Sequence, residues 1–131
     1  MRHIALAIGL VIAAPSFAQT PMTAEEFEDY VTGKTLYYAS NGIAYGIEEY
    51  HPGREVRWSF LDDECKEGVW YPRDEQICFE YIDGNGPQCW TFFLQDGGLM
   101  ARFADDPPGS ELYETQTSDE PLKCPGPAVG V

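Results

Sequence analysis

The sequence predicts a mainly β protein: a small antiparallel up-and-down barrel or sandwich of about eight strands, carrying one short N-terminal helix. Three observations predict it. From Lys34 onward the apolar residues recur at every second position, the period of a strand and not of a helix. The alternation is broken at short, regular intervals, and nearly every break is hairpin-sized (Asn41-Gly42, His51-Pro52-Gly53, Pro72-Arg73-Asp74, Asp96-Gly97-Gly98), which favours a meander over a Greek key. Finally, four cysteines in a chain of 131 residues lie beyond an export-like start, the usage expected of a small exported domain fastened by disulfides.

The N-terminal segment sets the compartment. Met1-Arg2-His3 is basic, Ile4 to Ala14 is an apolar run too short to span a bilayer, and Ser16-Phe17-Ala18 places small residues at positions −3 and −1 of a signal-peptidase site. The organisation expected is therefore 1–18 signal peptide, 19–33 leader and short capping helix, and 34–131 a barrel-like domain with a disulfide-tied tail. No cysteine follows the cut, which argues against a lipid anchor there. Without its signal the chain makes no stable membrane insertion, and its place is periplasmic or secreted.

Gln19-Thr20-Pro21 reads as a loose leader. The helix that follows starts on a capping box: the Thr23 hydroxyl can accept the Glu26 N–H while the Glu26 carboxylate reaches back to the Thr23 N–H. Met22 and Phe27 suit a hydrophobic staple, Glu25, Glu26 and Glu28 favour the positive end of the dipole, and Phe27, Tyr30 and Val31 make one apolar stripe. Gly33 is the expected stop. So short a helix is unstable alone and must dock on the β domain.

The strands follow in order. Leu36 and Tyr38 flank Tyr37 in the first. In the second, Ile43, Tyr45 and Ile47 are expected to face one way, with Ala44, Gly46 and Glu48 on the other. Val56, Trp58 and Phe60 define the third, residues around Cys65 to Tyr71 the fourth, and Ile77, Phe79 and Tyr81 the fifth. Trp90, Phe92 and Leu94 are the inward set of the sixth, Leu99, Ala101 and Phe103 of the seventh, and a last strand lies near Glu111 to Gln116. The Pro-rich tail from Glu120 to Pro127 cannot be a central strand, because prolines lack the ladder donor.

Cys78 and Cys89 fall on the face opposite the inward aromatics, on either side of the Asp83-Gly84-Asn85-Gly86-Pro87 loop. A two-residue Asp83-Gly84 turn would set them directly opposite, but it would ask Pro87 for a ladder hydrogen bond that proline cannot donate. A four-residue loop, Asp83 to Gly86, removes the conflict and makes the two cysteines diagonal neighbours. The pairing expected is thus Cys78–Cys89, leaving Cys65–Cys124 to tie the tail to the fourth strand; the two other connectivities stay open.

Composition narrows the function. The formal charge is −14, and removing residues 1–18 takes one basic residue (Arg2) and no acidic one, for about −15. Phosphate contacts need a basic face, so nucleic acid is not an expected partner. Only His51 remains after cleavage, and no pair of cysteines has Cys-x-x-Cys spacing, so no metal site or cofactor is expected. Asp83-Gly84-Asn85-Gly86 opens like a calcium loop but its twelfth position is Leu94, not a bidentate glutamate. Asp62-Asp63-Glu64 and Asp105-Asp106 could hold calcium only if they met in space, and solvated loops are the simpler reading. No Gly-x-Ser-x-Gly elbow is present, so no catalytic residue is assigned and the protein is not expected to be an enzyme. The chain is rich in aromatics, with 3 Trp, 8 Tyr and 7 Phe. Most alternate as core residues should, while Tyr37, Tyr50, Trp70, Phe93 and Tyr113 fall on the outer face in this register.

GKTLYY (33–38), GVW (68–70), ICF (77–79), QCW (88–90) and the CPGP of the tail resemble a family of small exported proteins of Gram-negative bacteria without assigned function. That resemblance spans most of the chain beyond the signal. It implies a periplasmic β-domain and the middle disulfide, and it supplies no catalytic residues. In architecture alone the chain is also similar to periplasmic inhibitors of alkaline metalloproteases, which are small disulfide-bonded β-barrels with an N-terminal helical segment, as TAEEFEDYVTGKTL would be here. Two functions are therefore expected: a non-enzymatic periplasmic module binding a peptide, protein or small molecule, or a small protease inhibitor acting through Gln19 to Met22.

Overall fold

The eight strands close into a barrel in a computed structural model that describes residues 9–11, 19–61, 64–104 and 106–124. Residues 1–8 and 12–18 of the expected signal, Asp62, Asp63, Asp105 and the end of the tail lie outside the described residues. Helix α1 (Ala24–Val31) precedes β1 (Thr35–Ser40), β2 (Ile43–His51), β3 (Glu55–Ser59), β4 (Lys66–Arg73), β5 (Gln76–Tyr81), β6 (Gln88–Gln95), β7 (Gly98–Phe103) and β8 (Leu112–Ser118). Every strand pairs antiparallel with its neighbours in sequence, and β8 returns to β1, so the sheet has no free edge. The barrel, and not the sandwich, is the architecture.

The helix seals one end. Its capping box is formed, with Thr23 Oγ1 accepting from the Glu26 N–H at 3.1 Å and Glu26 Oε1 accepting from the Thr23 N–H at 3.2 Å. Phe27 is wholly buried and sends its ring among those of Tyr50, Trp70, Phe79 and Phe92, at centroid distances of 4.4 to 6.4 Å. That single side chain joins four strands, so an eight-residue helix needs no intrinsic stability. Met22 gives its N–H to Phe92 O at 2.8 Å, and Glu28 pairs with Arg54, whose guanidinium lies over the Trp70 ring.

The seam between β7 and β8 is short, with only Met100↔Tyr113 and Ala101↔Leu112 in register. Glu114 completes it. Its carboxylate accepts from the Leu99 N–H at 2.8 Å, the Tyr30 hydroxyl at 2.7 Å and the Thr117 hydroxyl at 2.6 Å, replacing ladder hydrogen bonds with side-chain ones. Burial pushes the Tyr30 phenol up to about 12, and this carboxylate adds to the shift. Pro72 lies inside β4 without conflict: Trp70 N bonds Arg54 O, just beyond the start of β3, so the proline nitrogen two residues on has no strand opposite it.

Both expected disulfides are present, Cys78–Cys89 and Cys65–Cys124. The first departs from the expected register, because the cysteines are directly opposite each other and not diagonal. The pairing stops at Phe79↔Gln88, so Pro87 never reaches a position that must donate, and residues 82–87 form a wider loop than either turn considered. The second disulfide holds a tail that crosses the outside of the barrel. Thr35 Oγ1 donates to Glu120 O at 2.7 Å, and the Leu122 N–H donates to Glu49 Oε2 at 2.6 Å.

Several inside–outside assignments change, and Leu94, expected in the inward set of β6, is exposed. Tyr50 and Trp70 point inward and are nearly inaccessible, not on the outer face. Glu48 is inward as well, the reverse of the parity expected for β2. The register gives the reason: Glu48 stands directly across from Leu36 on one side and Trp58 on the other, and residues opposite one another share a face. Ile43, Tyr45 and Ile47 read as the inward set only because they are more apolar.

Candidate functional site

The end of the barrel away from α1 is open. The connections there are β1–β2, β3–β4, β5–β6 and β7–β8, and between them a cavity of about 70 Å³ descends into the barrel. Its walls are mostly aromatic, with Trp58, Phe79, Tyr81, Trp90 and Phe92 among them, and Ala101 and Leu112 closing the seam side. That volume exceeds what one water needs, about 10–15 Å³ on the same measure, but is near half that of an engineered cavity of about 150 Å³ that takes benzene. It fits a small head group, with the remainder of a ligand left at the mouth.

Two glycines shape these walls. A Cβ on Gly46 would collide with the indole of Trp58 and lie 2.8 Å from Ser59 O. A Cβ on Gly68 would strike Glu80 O and come within 2.8 Å of the Tyr81 ring. Each gap lets an aromatic side chain lie across the neighbouring strand and face the cavity. The bulge in β2 adds a third aromatic. Tyr38 pairs with Gly46 and Ala39 with Ala44, so Tyr45 is the extra residue, and its ring turns to the mouth at 5.8 Å from Trp58 and 5.6 Å from Phe60.

Glu48 lies among these walls with 2% of its surface accessible. Tyr81 donates its hydroxyl to Glu48 Oε1 at 2.7 Å, while Oε2 has no hydrogen-bond partner among the described residues. Burial pushes the Glu48 carboxyl up to about 8, against the smaller opposing effect of the Tyr81 hydrogen bond, so it is protonated at neutral pH. Deeper still, the hydroxyls of Tyr38 and Tyr50 bond each other at 2.9 Å. Burial holds these phenols and that of Tyr81 well above the ordinary tyrosine range, so all three stay neutral.

The rim differs from the interior. Lys66 Nζ pairs with Asp83 Oδ2 at 2.8 Å, and this bond from Lys66 is the main cause that lowers the Asp83 carboxyl. Exposed apolar side chains surround the pair: Ile43, Tyr45, Phe60, Leu61 and Ile82, all in or beside the connections at the open end. Mouth and cavity together form a cup with an apolar lip, aromatic walls and one buried acid.

No protein-family model, no curated protein and no solved structure matches this chain, so no residue roles carry over from elsewhere. Against the sequence reading, the four cysteines fasten the scaffold and stand outside the cup. Gln19 and Thr20 are exposed, whereas Pro21 is half-buried and Met22 buried. Glu48 is the residue that sequence reasoning missed. The signal was available in the β2–β3 hairpin, where His51↔Glu55 next to the turn places Glu48 opposite Trp58.

Proposed function

We propose that this is an exported, non-enzymatic binding module of the periplasm that takes a small ligand head-first into the open end of its barrel, against Glu48. One observation carries the reading: a buried carboxyl, Glu48, lines an open, aromatic-walled cavity with one oxygen unpartnered among the described residues. A polar group left unsatisfied inside a protein costs about 1–3 kcal/mol, and a ligand that completes it recovers that cost. Concave, largely apolar sites with a few convergent polar groups are where small molecules bind. Two disulfides fit an oxidising compartment, in agreement with the signal-like start and the acidic composition.

The inhibitor reading has less to work with, since Met22 is buried and its N–H is given to Phe92 O. Only a short stretch ahead of it is left for a protease cleft. The test is a ligand-observed NMR screen of small fragments, followed by amide and indole shift mapping on the mature protein. Hits that move Glu48, Trp58 and Tyr81 support the cup; hits that cluster elsewhere, or none at all, overturn it. The intact protein is expected to leave secreted metalloproteases uninhibited at micromolar concentration.

A further inference from the structure

We propose that the cup is built for an amphipathic primary amine, with the ammonium taken by Glu48 and the apolar body lying on the rim of Tyr45, Phe60 and Ile82. This rests on the reading that the open end binds a small ligand, and it names the ligand's chemistry.

Glu48 Oε2 is unpartnered, Tyr81 is committed to Oε1, and the Tyr38–Tyr50 pair uses one hydroxyl proton between two oxygens. Once Glu48 has given up its proton, Oε2 is an acceptor that one of an ammonium's three donors completes. The walls suit it too, because aromatic faces attract cations most strongly where water is excluded. Among the described residues no cation fills this role: Lys66, the one described basic residue lining the cavity, is held at the rim by Asp83. The chain's charge of −14 draws cations toward it. The five exposed apolar residues of the rim then give a chain or ring somewhere to lie, outside a cavity of about 70 Å³ that cannot hold a whole ligand.

Binding has a proton balance. The free cup holds Glu48 as the neutral acid, and the ammonium enters already charged; the Glu48 proton leaves to solvent, and a carboxylate–ammonium pair remains. Each amine bound at or below about pH 7 therefore releases close to one proton. The groups facing Glu48 do not obscure this. Tyr81 from β5, Tyr38 from β1 and Tyr50 from β2 stay neutral in this range. At the mouth Lys66 and Asp83 neutralise each other, Asp106 faces the neutral Tyr45, and Glu114 of β8 is occupied by its three donors.

Hexylamine and 1-hexanol are matched probes, alike in length and different in charge. Titrations of the mature protein, read by tryptophan fluorescence and by calorimetry in buffers of different ionisation heat, separate the outcomes. Hexylamine affinity is expected to rise about fifty-fold from pH 6 to pH 8, following the ionised fraction of a group with pKa about 8, with about one proton released at pH 6.5. Hexanol should bind more weakly at every pH and without that slope. In Glu48→Gln the slope should vanish and hexylamine should lose its advantage over hexanol; the proton count on the unaltered protein needs no variant. Equal binding of the two probes, or amine binding with no proton release, overturns the amine while the cup survives. If neither probe changes the tryptophan fluorescence or gives a binding heat, the cup reading falls together with the amine.

Discussion

Glu48→Gln is expected to change stability in a pH-dependent way that its burial dictates. Below its ordinary value of 4.5 the carboxyl is protonated whether the chain is folded or not, and its contribution is fully present. Between 4.5 and about 8 only the folded chain keeps the proton, so unfolding releases it and the fold loses about 1.4 kcal/mol per pH unit from this group. Above about 8 the loss is complete. From these limits the loss is about 0.8 kcal/mol at pH 5, about 3 at pH 7 and about 4 at pH 8. Glutamine has the same shape and no titration, and its amide oxygen can still accept from Tyr81. Relative to wild type the variant should therefore gain about 2.5 kcal/mol between pH 5 and pH 7. Urea unfolding of both proteins at pH 5, 6, 7 and 8, with disulfides intact, reads this directly, since every other titrating group cancels in the difference. A difference that stays flat across that range would falsify the claim that Glu48 is folded as a buried neutral acid.

Three further outcomes follow from the packing. Gly46→Ala drives a methyl into the Trp58 indole and the Ser59 carbonyl, so it should destabilise by roughly 1–3 kcal/mol or more and shift the Trp58 fluorescence; a silent substitution would mean that Trp58 does not lie over β2. Phe27→Ala removes the ring that joins Tyr50, Trp70, Phe79 and Phe92 and should cost about 3–5 kcal/mol, measured by thermal melting, with α1 losing its protection from hydrogen exchange. Cys78 and Cys89 are 11 residues apart and Cys65 and Cys124 are 59 apart. On a chain-entropy account the first bond contributes about 3 kcal/mol and the second about 4, so replacing either pair by alanines should lower the denaturation midpoint, the tail bond by more.

Much of this fold was legible because local rules act on neighbours. The capping box at Thr23 and Glu26 needs only residues three apart, and it forms as read. Asn41 and Gly42 both take positive φ and join Ser40 to Ile43 in a two-residue turn, as their types demand. Alternation located all eight strands and the inward aromatics of β3, β5 and β6. The candidate site was the part that could not be read this way. Glu48 sits among Ile43, Tyr45 and Ile47, and polarity alone assigns such a residue to water. Its true face follows from its cross-strand partners, Leu36 and Trp58, and from a bulge at Tyr45 that shifts the upper part of β2. The cysteine register failed for a related reason. The reading assumed that the ladder continued to the loop, while pairing stops at Phe79↔Gln88.

The sequence by itself determined the class of object: a short capped helix ahead of eight alternating strands, joined by hairpins and fastened by two disulfides. Period, turn chemistry and cysteine parity are properties of residues close together in the chain, so they survive without coordinates. Only the tertiary structure decided what the object contains. Closure of β8 on β1 turned one face of the sheet into an enclosed interior, and Phe27 stopped one end of it. Inside, the removal of water converted Glu48 from an ordinary surface acid into a neutral, half-satisfied group facing a cavity. That change is a matter of solvation, and solvation depends on which residues meet across the barrel, not on which are adjacent along the chain.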